Sequence, residues 1–224
     1  MFRLLFIDEE KDAFDDFKDY VDDSPLKAEF EILTEFPIGD LDEMVELVFK
    51  INPDAIITDF MLNEHKTDIT YVVPYDGAKL VERFTSIRDK FPCFILTSFD
   101  DHAVNQSEDV NIVYIKNILH DSKAESKAKA TFLERVKSQI IRYKTRIHEA
   151  EERIFELIAK REGGKASITE EDELIELDHF LETTVDRKSS IPKEYKTLSN
   201  TKRLGQLLSK VDDVLKKVES KDGE

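Results

Sequence analysis

Apolar residues follow two rhythms in the first half of the chain. Residues 3–7, 30–33, 55–58, 93–96 and 112–115 are short, nearly unbroken apolar runs. Their lack of in/out alternation predicts strands buried on both faces. Between them lie segments with helical spacing. Residues 10–21 place Phe14, Phe17 and Val21 among acids, and residues 40–49 place Leu41, Met44, Val45 and Val48 on one stripe. Asp40 precedes Glu43 by three residues, a capping-box-like start. Residues 77–84 open a third helix. Strands alternating with helices imply parallel βαβ units, and hence an α/β fold with a five-stranded doubly wound sheet. Residues 63–76 fit neither rhythm and read as a long loop over the strand ends.

The pattern changes after residue 120. Residues 123–160 contain no Gly or Pro and read as helix throughout. Val136, Ile140, Tyr143, Ile147, Ala150, Ile154 and Leu157 recur at alternating steps of four and three, a coiled-coil-like seam. Gly163-Gly164 ends that helix. Thr169 begins the next, with Asp172 three residues on and Leu174, Leu177, Phe180 and Leu181 facing inward. Ser190-Ile191-Pro192 breaks the chain again, and Leu204, Leu208, Val211, Leu215 and Val218 mark a last amphipathic helix. The expected domains are 1–122, and a helical output or dimerisation region over 123–224.

Charge sharpens that division. The first 120 residues carry 27 Asp and Glu against 11 Lys and Arg, and the remainder carries 22 of each. An acidic front half disfavours nucleic acid there, because phosphate contacts need clustered cations. The single cysteine, Cys93, excludes an intrachain disulfide and reads as a buried thiol within an apolar run. No apolar run is long enough to span a bilayer, and the start turns acidic too soon for a signal peptide. A cytoplasmic protein is expected. The five histidines are scattered without metal-ligand spacing.

In doubly wound sheets the chemistry sits at the carboxyl ends of the strands. Asp8, Glu9 and Glu10 follow the first strand, Asp59 the third, Thr97 and Ser98 the fourth, and Lys116 the fifth. Carboxylates gathered this closely repel one another and favour protons or a hard divalent cation, with Mg2+ the natural choice. A carboxylate can accept a phosphoryl group covalently, and a cation with a lysine supplies the charge stabilisation this transfer needs.

These motifs resemble the response-regulator receiver domains of two-component signalling. The match lies in Asp8-Glu9, in Asp59 within Ile56-Ile57-Thr58-Asp59-Phe60-Met61-Leu62, in Thr97-Ser98-Phe99-Asp100-Asp101, and in Tyr114-Ile115-Lys116. It covers residues 1–122. The resemblance implies a flavodoxin-like (βα)5 receiver in which Asp59 is the phosphoacceptor and Thr97 and Lys116 assist. It also implies Mg2+ held by Asp8, Glu9, Asp59 and the backbone carbonyl of Met61, with Thr97 and Tyr114 as switch residues. A histidine kinase or phosphotransfer protein would be the donor, and the receiver would catalyse its own phosphorylation and dephosphorylation. The 123–224 region would relay the change to a protein partner, with a homodimer through the long helix as one arrangement.

The sequence departs from the family in two ways. Asn63 and Asn117 stand where prolines are usual. Gly77 lies 18 residues after Asp59, which implies an insertion at 64–75 beside the acceptor. That insertion is expected to limit access to Asp59, and Met61 to overhang it. Three plainer readings stand beside this one. The acids could be ordinary surface charges, and the domain could be a pseudo-receiver scaffold that is never phosphorylated. The basic stretch 122–146 could be a solvated face, or could meet the acidic receiver, a partner protein or nucleic acid. The C-terminal half shows no phosphate loop and no nucleophile–base set that would make it a separate enzyme.

Overall fold

The computed structural model describes residues 1–63, 73–97, 113–116, 131–187, 190–193 and 196. Five strands, β1 (Phe2–Ile7), β2 (Phe30–Glu35), β3 (Ala55–Asp59), β4 (Cys93–Thr97) and β5 (Val113–Ile115), form one sheet in the order β2-β1-β3-β4-β5. Every pairing is parallel. This is the flavodoxin-like doubly wound order, which reverses direction between β1 and β3.

The unbroken apolar runs explain the layers. Leu5, Ile7, Ile56, Cys93 and Ile95 face one core, and Leu4, Phe6, Ala55, Ile57, Phe94 and Leu96 face the other. Helices α2 (Leu41–Ile51) and α3 (Gly77–Thr85) cover the first face through Met44, Val45, Val48, Leu80, Val81 and Phe84. Helix α1 (Lys11–Asp22) covers the second through Phe14, Phe17 and Val21. The Asp40 carboxylate caps α2 by accepting from the amides of Asp42 (2.8 Å) and Glu43 (3.0 Å). Asn52 ends that helix in the left-handed region at φ 51°. Cys93 is buried, and burial pushes its thiol above the ordinary range.

The chain divides into two compact units, Met1–Arg146 and Ile147–Glu224. The long helix α4 (Phe132–Glu162) contributes to both. Its start differs from the sequence expectation of residue 123. Thr131 N donates to Glu134 Oε2 at 2.7 Å while Glu134 N donates to Thr131 Oγ1 at 3.2 Å. This reciprocal cap satisfies the first amides and fixes the helix start at 132. Residues 123–130 lie outside the described residues.

Along the heptad stripe Val136, Ile140, Ala150 and Leu157 are buried and Tyr143, Ile147 and Ile154 half-buried, and in the first unit its start joins the core that the sheet shares with α1. Phe132, Leu133, Val136 and Ile140 pack into the second core of the sheet. Tyr143 meets Phe91 edge-on, with ring centroids 5.5 Å apart. Ion pairs flank this docking: Lys137 Nζ lies 2.6 Å from Glu29 Oε2, and Lys144 Nζ 2.5 Å from Asp54 Oδ1. Part of the basic stretch therefore pairs with acids of the first unit itself.

In the second unit the rest of α4 turns through Gly164, at φ 67°, into α5 (Ile168–Asp186). Ser167 and Glu170 form a capping box, so α5 starts one residue before the expected Thr169. Arg153 donates from Nε and Nη2 to the two carboxylate oxygens of Glu173, at 2.7 and 2.8 Å, and Lys160 pairs with Glu170 at 2.5 Å. Leu174 is buried, and Leu177, Phe180 and Leu181 are half-buried. The amphipathic stretch at 204–218 lies outside the described residues. No described helix is long and apolar enough to cross a membrane.

Candidate functional site

The carboxyl ends of β1, β3 and β5 bring together four of the expected residues. Asp8 follows β1 immediately, and its Oδ1 accepts from the Glu10 amide at 2.9 Å, an Asx-type turn that fixes the carboxylate at the entry to α1. Asp59 is the last residue of β3, and its Oδ2 accepts from the Met61 amide at 2.7 Å. Lys116, just beyond β5, reaches both: its Nζ lies 2.7 Å from Asp59 Oδ1 and 3.0 Å from Asp8 Oδ2.

These groups are withdrawn from water. Asp8, Glu9 and Asp59 are 0%, 2% and 4% exposed. Among the described residues three buried carboxylates face one ammonium, an excess of negative charge that a protein interior tolerates poorly. The strain falls on Glu9. Burial, together with the charges of Asp8 and Asp59, pushes its carboxyl up to about 8. Its Oε2 is buried and has no hydrogen-bond partner among the described residues. Burial also raises Asp8, with Lys116 opposing. Burial works against the Lys116 ammonium, yet Asp59 and Asp8 outweigh it and hold the group above its ordinary range.

Asp8, Glu9 and Glu10 each offer a carboxylate oxygen within 4.8 Å of the others. An all-oxygen donor set with an unpartnered buried oxygen suits a hard divalent cation. Glu10 stands after β1 in the sequence, but the ligand set expected from the motif omits it.

Thr97, the last residue of β4, is buried. Leu96 pairs with Asp59 in the β3–β4 register, so Thr97 lies one step further toward the same sheet end. Tyr114 points elsewhere. Its ring sits 4.9 Å from Phe132 and 6.0 Å from Phe94, with the Arg135 guanidinium 5.9 Å from its centroid. It therefore joins β5 to the first turn of α4. The Met61 amide is turned to Asp59. Residues 98–101 and 117, and most of the insertion at 64–75, lie outside the described residues. Val73 and Tyr75, at the end of the insertion, are buried in the first core, and the Tyr75 hydroxyl donates to the Ile38 carbonyl at 2.5 Å. Gly77, not among the expected site residues, donates its amide to the Phe60 carbonyl at 2.9 Å, one residue past Asp59. The Asp76-Gly77 pair at a helix start was its only signal in the sequence.

No family model and no curated protein matches this chain. Similar solved structures include the anti-anti-sigma factor PhyR from Bartonella quintana, at 13% identity and a TM-score of 0.42 over 67% of this chain and 51% of that one. The match thus spans about half of the PhyR chain. The signal receiver domain of the putative response regulator NarL from Mycobacterium tuberculosis aligns at 17% identity and a TM-score of 0.35, over 61% of this chain and 91% of its own. RcsB from Salmonella enterica serovar Typhimurium, solved on a promoter with the phosphomimetic BeF3−, aligns at 12% identity and a TM-score of 0.35, over 82% of this chain and 91% of its own.

Proposed function

We propose that the first unit is a phosphorylatable receiver whose acceptor is Asp59. The observation that carries this reading is the Lys116 ammonium bridging Asp59 Oδ1 (2.7 Å) and Asp8 Oδ2 (3.0 Å) beside the unpartnered oxygen of Glu9. In the transfer, an Asp59 carboxylate oxygen forms a bond to the phosphorus of a phosphohistidine. The phosphorus–nitrogen bond breaks, and the imidazole nitrogen leaves with the electron pair. Lys116 offsets the charge of the acyl phosphate that results, and the Met61 amide orients the second Asp59 oxygen. The Thr97 hydroxyl is the switch donor for a phosphoryl oxygen. Mg2+ held by Asp8, Glu9, Asp59 and the Met61 carbonyl would supply further charge neutralisation when bound. Hydrolysis reverses the arrangement: water attacks phosphorus, and the Asp59 carboxylate leaves.

The donor would be a histidine kinase or phosphotransfer protein in the cytoplasm. The state of the site would pass through Tyr114 to Phe132 and α4, and from the helical region to a protein partner or a second copy of the chain. The pairing of Lys137 with Glu29 and Lys144 with Asp54 favours an intramolecular role for this part of the basic stretch over nucleic-acid binding.

Acetyl phosphate with Mg2+, followed by intact-mass measurement, tests the proposal. One phosphoryl group should add to the full chain and none to Asp59→Asn. An unmodified wild type that also ignores beryllofluoride would leave the pseudo-receiver scaffold as the reading.

A further inference from the structure

Gly77 opens α3, and Asp76 caps that helix by accepting from the Lys79 amide at 2.8 Å. A β-carbon built on Gly77 would fall 2.0 Å from the Asp59 carbonyl oxygen, and 3.0 Å from both its carbonyl carbon and Thr58 Cγ2. The requirement is for space, not for backbone freedom. Among the described glycines only Gly164 has a positive φ, so alanine could adopt the Gly77 backbone without dihedral strain. What it could not do is leave Asp59 in place. The obstacle is backbone, which cannot swing aside as a flexible side chain would.

Beside that contact, two backbone hydrogen bonds brace the residue after the acceptor. On one side the Phe60 amide donates to the Leu96 carbonyl of β4 at 2.8 Å, and on the other the Gly77 amide donates to the Phe60 carbonyl at 2.9 Å. The chain leaves after Phe60, passes through the insertion, and returns to rest against the residue it left. We propose that Gly77 is a positioning residue for phosphoryl transfer. Its missing side chain lets the start of α3 seat on the Asp59 backbone, and that seat sets how far the Asp59 carboxylate stands from Lys116. The inference rests on Asp59 being the acceptor.

The test compares full-length wild type, Gly77→Ala and Asp76→Ala with acetyl phosphate over a range of Mg2+ concentrations. A displacement of the acceptor of about an ångström should slow phosphorylation by about 100-fold at saturating Mg2+. The half-saturating Mg2+ concentration should rise as well, because Asp59 and the Met61 carbonyl are two of the four proposed ligands, so the rates are compared at saturating Mg2+. Asp76→Ala loosens the seat without adding an atom beside Asp59, and should lower the rate by a smaller factor. If Gly77→Ala unfolds more easily but its folded fraction is phosphorylated at the wild-type rate, the proposal is overturned. If Gly77→Ala does not fold, an unchanged rate in Asp76→Ala overturns it. Should wild type itself resist phosphorylation, the acceptor reading fails. The NMR signal of the Lys116 ε-methylene still decides whether Gly77 sets the Lys116–Asp59 distance: a shift in Gly77→Ala supports this, and an unchanged signal opposes it.

Discussion

Lys116 sits 2.7 Å from Asp59, and it is the ammonium seen to bridge two of the three buried carboxylates at this end of the sheet. The pair joins β5 to β3 across the intervening β4, so the site exists only when the parallel sheet has closed.

Replacing Lys116 by Met would strip Asp59 and Asp8 of their counter-charge while they stay buried. The expected cost is about 3 kcal/mol of folding stability, the usual penalty for breaking a buried pair from one side. Urea unfolding without divalent ions should report it, and added Mg2+ should recover part of the loss. A variant as stable as wild type would mean that the carboxylates already share protons.

Glu9 makes stability depend on pH. Its folded value of about 8 lies above the ordinary 4.5, so the folded state binds a proton that the unfolded chain has released. Stability is then highest below 4.5 as far as this group is concerned, and falls as pH rises toward 8. The direction at Asp8 is the same. Urea midpoints measured without Mg2+ across that window should decline with pH, and Glu9→Gln should flatten the decline. An equally steep decline in Glu9→Gln would assign it to other groups.

Thr131 and Glu134 cap α4 reciprocally. Thr131→Ala should cost about 1 kcal/mol, the usual value of an N-cap, and should speed hydrogen exchange in the first turn. Unchanged protection there would show that packing of Phe132 and Leu133 alone fixes the helix start.

Ile140 is fully buried in the second core. Ile140→Ala should cost roughly 3 kcal/mol by leaving a cavity against the sheet. The unfolding midpoint should not depend on protein concentration, because the partner surface belongs to the same chain. A concentration-dependent midpoint lost in this variant would instead place Ile140 in an intermolecular seam.

Much of the fold was written locally. Unbroken runs such as those ending in Ile7 and Leu96 specify strands buried on both sides, and the spacing of Phe14, Phe17 and Val21 specifies one face of a helix. With the strands placed, the chain order of Asp8, Glu9, Asp59 and Lys116 located the cluster. The start of α4 was also local, in Thr131-Phe132-Leu133-Glu134, but the continuous helical pattern around it hid the cap.

What only the tertiary structure decided were the partners and the distances. The stripe of Val136, Ile140 and Tyr143 announces that it must be buried, but burial is non-directional, and spacing does not say whether a helix or a sheet will cover it. The same holds for Gly77, whose need for an absent side chain arises from the backbone of a residue far away in sequence. It holds too for Glu9, whose carboxyl is pushed up first by burial and then by the charges of Asp8 and Asp59, gathered only when the ends of β1 and β3 meet.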